Sequence, residues 1–402
     1  MTEANPRSYH LEKLVLGVVF SIYFFPGFRV SEGLILRLDD IVLLSVFPLL
    51  FLYRPLFFSN TLSKSLLVCL LVVIFSTCYG YLFLEVPYSS RDFNEIIRLS
   101  KPFIFIILLL SCDTQFLVSR VSPSVIPLSW LLVLIGFVQY FNLGGVGAFV
   151  GSLYAPPHHV ANMVGNSHRI LLVGSDPNVG AAIVLMFFLY NLFNSFINKS
   201  LNSKILTFLM VILVLMTSSR TSFIALALII TIFLFTSKSL KILPKILFSF
   251  LIIFMIVSLY EQFSYIAIGF AVALQGENTS LLNRFEKWMV AWELFLQSPI
   301  FGWGLAKASM ETTVDGEYIL LLRRFGVVGT VIISALIFLM PFWKNKIKLK
   351  SPRLMVIELT LKYYVIVIFF IMLTNSFFSG YQLFIPYVFL SVILYKERLK
   401  IV

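Results

Sequence analysis

Acidic residues are scarce in this chain. Its 402 residues hold 19 Asp and Glu against 31 Lys and Arg, and only 12% are charged at all. Histidine, at 4, and cysteine, at 3, are scarcer still. Each shortage excludes something. Cys69, Cys78 and Cys112 all lie inside apolar runs, so they build neither a disulfide scaffold nor a metal site. A charge density this low cannot cover the surface of a soluble domain of this length. What fills the sequence instead is apolar: 59% is hydrophobic and 16% aromatic. One crossing of a ~30 Å hydrocarbon layer takes about 20 residues, so this content suffices for about ten to twelve spans. A cytosolic enzyme and a nucleic-acid-binding domain are excluded, although a net charge of +12 would by itself suggest a polyanion partner. The chain reads as a single all-α, polytopic transmembrane domain over residues 1–402.

Apolar runs near 12–28, 34–53, 65–84, 97–112, 125–143, 177–195, 204–218, 221–237, 244–260, 317–343, 355–377 and 380–396 give about twelve spans. Basic residues stay on the cytoplasmic side, and their placement agrees with this count. With the N-terminus inside, eighteen of the 31 fall in cytoplasmic segments, including Lys238, Lys241 and Lys245, the cluster from Lys344 to Arg353, and Lys396, Arg398 and Lys400. Both termini are then cytoplasmic. Phe24, Phe25, Pro26, Gly27 and Phe28 supply no small-residue cleavage site after the first run, which is expected to be retained. Two outer-face connections are long, 144–176 and 261–316, and function is expected there. No repeat is visible.

The outer loops carry seven basic residues, five of them Arg, whereas the cytoplasmic loops carry mostly Lys. Topology asks only for positive charge inside, so it does not explain arginine outside. A guanidinium matches phosphate or carboxylate as a planar fork, which points to an anionic ligand such as a pyrophosphate. Headgroup contact or pairing with Asp92, Glu95, Asp176 and Glu261 is the plainer alternative.

Three places are more specific. Asp176-Pro177-Asn178 opens a helix beside His168 and Arg169, with Asp176 as N-cap and Pro177 at N1, and its N–H groups would face an anion. Thr217 to Ser222 form a hairpin so short that Arg220 must lie at the membrane surface among hydroxyls. The second long loop holds an amphipathic helix, with Phe285, Trp288, Trp292 and Phe295 at helical spacing and Arg284 at its start, ending before Pro299. Trp288, Trp292 and Trp303 suit the headgroup layer or stack on sugars. Asp315 and Glu317 then stand where a span re-enters the membrane, where desolvation favours a general base.

In this order the pieces resemble the O-antigen polymerase and O-antigen ligase family of bacterial membrane glycosyltransferases, with a GT-C-like architecture. The resemblance lies in residues 169–329. It rests on Pro177-Asn178, Ser219-Arg220-Thr221, the block from Arg284 through Trp288, Ala291, Pro299 and Phe301-Gly302-Trp303-Gly304 to Asp315, and Phe325-Gly326-Val327-Val328-Gly329. The first 140 residues match in hydropathy alone. Ligases of the family carry His-Asn, then one residue and an aromatic, before the re-entering span. Here the place resembles Asp315-Gly316 followed by Tyr318, which favours the polymerase branch.

The resemblance implies a donor oligosaccharide on undecaprenyl pyrophosphate and a lipid-linked acceptor, joined at the periplasmic face of the bacterial inner membrane. Arg220 and Arg284 would be catalytic with Asp315 and Glu317, Asp315 being the first choice of base. Arg169, His168, Asn178, Arg98 and Tyr318 would bind substrate. A chain-length regulator protein and membrane lipid are the further partners implied. No cofactor and no nucleic acid are expected. Adjacent His158 and His159 make poor ligand geometry, so no metal is expected either. Two other readings stay open: an O-antigen ligase, and a flippase or transporter for a lipid-linked sugar, for which Glu358 and Lys362 are charges inside a late span.

Overall fold

A computed structural model describes residues 6–31, 34–36, 40–42, 61–165, 169–236, 250, 279–307, 309–310, 314–343, 349 and 351–400, with the backbone alone for 6–12, 28–31, 34–36, 279–284 and 381. The described elements are helical apart from one hairpin. They are α1 (Pro6–Phe24), the antiparallel strands β1 (Phe28–Ser31) and β2 (Leu34–Leu36), α2 (Thr61–Phe83), α3 (Ser90–Ser111), α4 (Thr114–Phe141), α5 (Val146–Ser152), α6 (Pro157–Val164) and α7 (Pro177–Ile197). The chain continues through α8 (Leu201–Thr217), α9 (Arg220–Thr236), α10 (Thr279–Gln297), α11 (Glu317–Leu339), α12 (Pro352–Thr374) and α13 (Tyr381–Leu399).

Five of these helices are long and apolar enough to cross a membrane: α2, α4, α7, α11 with the turn that follows it, and α12. The apolar helices at α8 and α9 coincide with expected spans but are shorter. The expected spans 34–53 and 244–260 lie largely outside the described residues, and where the first of them begins the structure has β2.

Helix α7 is the centre of the core. In its most apolar stretch 89% of residues are buried, against 28% for α4 and 33% for α2, whose remaining faces are left for lipid. It packs on α8 and α12 and also touches α4, α9 and α13. Its start explains how close that packing is. A Cβ on Gly180 would lie 2.3 Å from the Leu171 carbonyl oxygen, so only glycine admits the neighbouring chain.

That neighbour is the end of the first long loop. The loop is not wholly external: α5 and α6 lie in it, and Ile170, Leu171, Leu172 and Val173 are completely buried. Non-helical backbone at this depth must find partners inside the protein. Two buried glutamines provide them. Gln139 of α4 accepts from the Leu171 and Leu172 N–H groups (3.0 and 2.6 Å) and donates to the Leu172 carbonyl (2.8 Å), and Gln382 of α13 donates to that of Val173 (2.9 Å).

The second long loop is clasped in a comparable way. At Gly326 the backbone leaves helical geometry (φ 61°, ψ −167°) and α11 breaks. The carbonyls of Arg323 and Arg324 accept from Trp303 and Gly304 N–H (3.0 and 2.8 Å), while Val327 N–H donates to the Pro299 carbonyl (2.8 Å). The break is thus refilled by the 299–304 segment, as an interrupted helix in a membrane requires. A Cβ on Gly302 would meet the Arg324 carbonyl carbon at 2.4 Å and one on Gly326 the Ile300 oxygen at 2.2 Å, so these glycines are dictated by close backbone approach.

Candidate functional site

Asp176 caps α7 as expected. Its Oδ1 accepts from Asn178 and Val179 N–H (2.8 and 3.1 Å), its carbonyl accepts from Gly180 N–H (3.0 Å), and Pro177 has no N–H to offer. The helix end expected to face an anion is therefore closed by its own cap. Any anion held here must be held by side chains.

The side chains do gather. Ser218 takes the left-handed conformation that ends α8, and α9 starts two residues later, which makes the short Arg220 hairpin. Arg169 joins it: Nε donates to the Thr217 carbonyl (3.2 Å), at the negative end of α8. The buried Ser219 hydroxyl donates to Asn178 Oδ1 (2.8 Å), so Asn178 is bound to the same hairpin. Arg169, Asn178, Ser219 and Arg220 thus form one cluster, with both arginines partly buried.

The third wall comes from residues the sequence reading places inside a span. Helix α12 stops at Thr374. The Thr374 hydroxyl donates to that of Thr221 (3.3 Å), and Asn375 Nδ2 donates to both carboxylate oxygens of Asp176 (3.1 and 3.2 Å). The only signal for this wall was the polar run Thr374-Asn375-Ser376 interrupting apolar sequence.

Asp315 is brought to the same place. A Cβ on Gly316 would lie 3.0 Å from the Leu373 carbonyl oxygen and 3.5 Å from the Trp288 ring, and Trp288 Nε1 donates to the Asp315 carbonyl. Asp315 therefore follows α10 and borders the end of α12, beside Thr374 and Asn375. Glu317 is occupied differently. It is 1% exposed, and its carboxylate accepts from the N–H groups of Phe377, Phe378 (2.7 Å) and Ser379 (3.2 Å) and from the Ser379 hydroxyl (3.2 Å). These bonds make it the anchor of the α12–α13 turn. Tyr318 likewise turns its hydroxyl to the Phe369 carbonyl (3.2 Å).

Helix α6 lies near this cluster, because the half-buried His159 feels both Asp176 and Arg169. Burial, His158 and Arg169 push its imidazole below the ordinary range, and Asp176 only partly opposes them. Its ring lies tilted by 46° against that of His158, with the centroids 4.1 Å apart. Among the described residues no group of three His, Cys, Asp or Glu could hold a metal ion. His168 lies outside the described residues, and Arg284 is described only as backbone within α10.

Arg98 stands apart from this cluster. It pairs with Glu95 (2.9 Å), which also binds Lys307 (2.8 Å) and lies 3.9 Å from Arg324. Asp92 in turn accepts from Lys307 N–H (2.8 Å) and from the Tyr81 hydroxyl (2.7 Å). The three tryptophans divide as well: Trp303 Nε1 donates to the Leu294 carbonyl (2.6 Å), Trp288 is committed to Asp315, and Trp292 is 46% exposed.

Residues 205–320 match the Wzy_C family model, described as O-antigen ligase. No curated protein matches the chain. The matched stretch runs from α8 to the first turn of α11 and includes the Arg220 hairpin, the block from Arg284 to Gly304, and Asp315. Within that stretch, less than a third of the chain, the protein is similar to the O-antigen ligase family.

Proposed function

We propose that the protein is an O-antigen polymerase that works at the periplasmic face of the bacterial inner membrane, with both termini in the cytoplasm. The observation that carries the reading is the meeting of Arg169, the Ser219-Arg220 hairpin, Asn178 and the Asp315-Gly316 approach around one end of α7. Cationic forks and hydroxyls on one side and a carboxylate on the other suit a glycosyl transfer. The donor is a glycan on undecaprenyl pyrophosphate. The acceptor is a sugar hydroxyl on a second lipid-linked repeat unit.

In this scheme the acceptor oxygen bonds to the anomeric carbon as its proton passes to Asp315. The bond from that carbon to the pyrophosphate oxygen breaks, and its electron pair leaves on undecaprenyl pyrophosphate. Arg169, Arg220 and Arg284 stabilise the charge that develops there. Glu317 acts by positioning: it holds the turn that carries Asn375, which in turn fixes Asp176. The glutamate's own oxygens already accept four hydrogen bonds.

Two observations bear on the alternatives. The matched family's description, O-antigen ligase, favours a reaction in which the acceptor is a sugar of the lipid A core. Asp315-Gly316 in place of His-Asn favours the polymerase. Glu358 and Lys362, the charges a transporter would use, pair with each other (2.6 Å), and Glu358 also pairs with Arg398 (2.9 Å), a structural arrangement at the cytoplasmic end. Polymer ladders from cells carrying Arg220→Ala, Arg284→Ala or Asp315→Asn at matched protein levels test the scheme. Collapse of the ladder to single repeats on core is expected for each. Full-length ladders from all three would overturn it, and loss of all core-linked sugar would favour the ligase.

A further inference from the structure

From Val121 to His168 the chain holds no Asp, Glu, Lys or Arg, a run of 48 residues that takes in most of the first long connection, 144–176. The second, 261–316, holds nine. A connection surrounded by water has no physical reason to shed every such residue, whereas one that meets hydrocarbon does. The apolar side chains of this run agree with the second case.

Helix α4 fixes the depth at which the connection starts. From Arg120, its last charged residue, to Phe141 at its end it rises about 30 Å, the thickness of one hydrocarbon layer. Trp130, Leu134 and Phe141 are exposed along one face, as a span presents itself to lipid. Exposed apolar side chains continue past the helix end. Leu143 is 76% exposed, and on α5 Val146 and the 64% exposed Phe149 follow, with Leu153 just beyond on the same face.

The opposite face of α5 is pressed against the protein. Gly147 and Gly151 are buried there; a Cβ on Gly147 would lie 2.6 Å from the Val138 carbonyl oxygen of α4, and one on Gly151 3.0 Å from Met163 Cε of α6. The backbone at both ends of α5 finds partners within the chain. Ala148 N–H donates to Asn142 Oδ1 (2.8 Å), and the Tyr154 and Ala155 N–H groups donate to the Gly151 carbonyl (3.1 and 3.0 Å). The Tyr154 hydroxyl donates to the Phe24 carbonyl (2.9 Å), which ties α5 to the end of α1. A short helix so satisfied is suited to a place without water.

We propose that α5 is seated in the membrane, with its Val146, Phe149 and Leu153 face against the acyl chains of the leaflet beside the Arg169 and Arg220 cluster. The inference is independent of the proposed reaction and needs only that the chain spans a membrane. Lipid is the occupant because the exposed face continues the lipid face of α4 and offers no charged side chain to orient a protein partner. The consequence is lateral. Helix α5 packs on α6, which carries His159 in the neighbourhood of Asp176 and Arg169, so the leaflet comes within two short helices of the candidate site.

The test asks what lies against Phe149. The full-length protein, with Phe149 replaced by photoreactive p-benzoylphenylalanine, is placed in vesicles of phosphatidylethanolamine and phosphatidylglycerol, irradiated and weighed by mass spectrometry. The same replacement at Leu134 of α4 is the comparison. A lipid adduct is expected at both positions, and after alkaline hydrolysis of the lipid esters the mass gain left at position 149 is expected to be that of one fatty acid. A glycerophosphate left there instead would place α5 above the hydrocarbon and overturn the proposal.

The other outcomes overturn it as well. A cross-linked dimer through position 149 would assign the face to a second copy of the chain. An adduct at Leu134 with none at 149 would mean that α5 faces water, and none at either position would remove the lipid face of α4 that α5 is said to continue. If the protein altered at Phe149 does not fold, the same replacement at Val146, one turn earlier on the same face, carries the same outcomes.

Discussion

The two ends of this helical bundle bury charge in opposite ways. At the end where α13 finishes, Arg398 and Lys396 meet fixed partners from the protein. Arg398, 1% exposed, donates to the carbonyls of Pro341 (3.1 Å) and Trp343 (2.6 Å) and to Glu358 (2.9 Å). Lys396 caps the end of α3 through the carbonyls of Leu110 (2.7 Å) and Cys112 (2.6 Å). At the other end Arg98 and Lys307 pair with Glu95, Arg324 faces Glu95, Glu317 and Asp92, and Arg169 and Arg220 sit partly buried among hydroxyls. Helix C-termini and ion pairs account for the first arrangement. Charge at the first end closes helix ends, and charge at the second ties the long-loop segments to the helices, with Arg169 and Arg220 gathered beside the start of α7.

The comparison breaks most visibly if the inner end proves dispensable. Arg398→Ala leaves Glu358 with Lys362 alone and two carbonyls without a donor, an expected loss of about 1–3 kcal/mol. Thermal unfolding in detergent measures it, while elongation per folded molecule should stay at the wild-type level. Lost elongation at wild-type stability would place function at the wrong end. Arg220→Ala is the mirror case. Removal of one pre-placed donor costs on the order of 10²–10³ in rate, with little change in unfolding temperature, as read by in vitro extension of a lipid-linked repeat.

An intermediate effect belongs to Glu317, which touches the site only through the α12–α13 turn. Glu317→Gln keeps the shape of the side chain but removes the charge from four hydrogen bonds, a loss of about 1.5–3 kcal/mol. If Glu317 only positions the turn, activity should fall in step with stability, and the pH profile of elongation should keep its shape. A shifted acid limb would instead make Glu317 the base.

Much of the fold was legible in the sequence, for physical reasons that name particular residues. Asp176-Pro177 had to begin a helix, the run before Pro299 had to end one, and apolar length marked five of about twelve expected spans as described helices long enough to cross a membrane. What stayed hidden needed partners distant in sequence. Ile170–Val173 reads as loop because nothing local shows that Gln139 and Gln382 will satisfy its backbone. The break in α11 reads as continuous helix until the 299–304 segment fills it. Arg98 was singled out as a substrate contact, yet Lys307 and Arg324, which complete its cluster, looked like loop and span-edge charges. The first wall of the site could be read from Arg169, Asn178 and Arg220. The last, at Thr374 and Asn375, lay masked inside an expected span.

The smallest expected effect separates capping from chemistry at the outer end itself. Asp176 does two things: Oδ1 closes the start of α7, and both oxygens receive Asn375. Asparagine caps a helix about as well as aspartate, so Asp176→Asn should change stability by only a few tenths of a kcal/mol, whereas Asp176→Ala should cost about 1 kcal/mol. Its charge has a separate consequence, because His159 feels both Asp176 and Arg169, which puts the three in one neighbourhood. Neutralised, it no longer competes with a pyrophosphate for the arginine, so Asp176→Asn should bind undecaprenyl pyrophosphate slightly tighter than wild type, and Asp176→Ala should not gain as much because the cluster loosens. Tighter binding in the asparagine variant alone would show that the outer arginines wait for an anion from outside the chain. Equal loss in both variants would make Asp176 one more structural partner and draw the two ends of the molecule together.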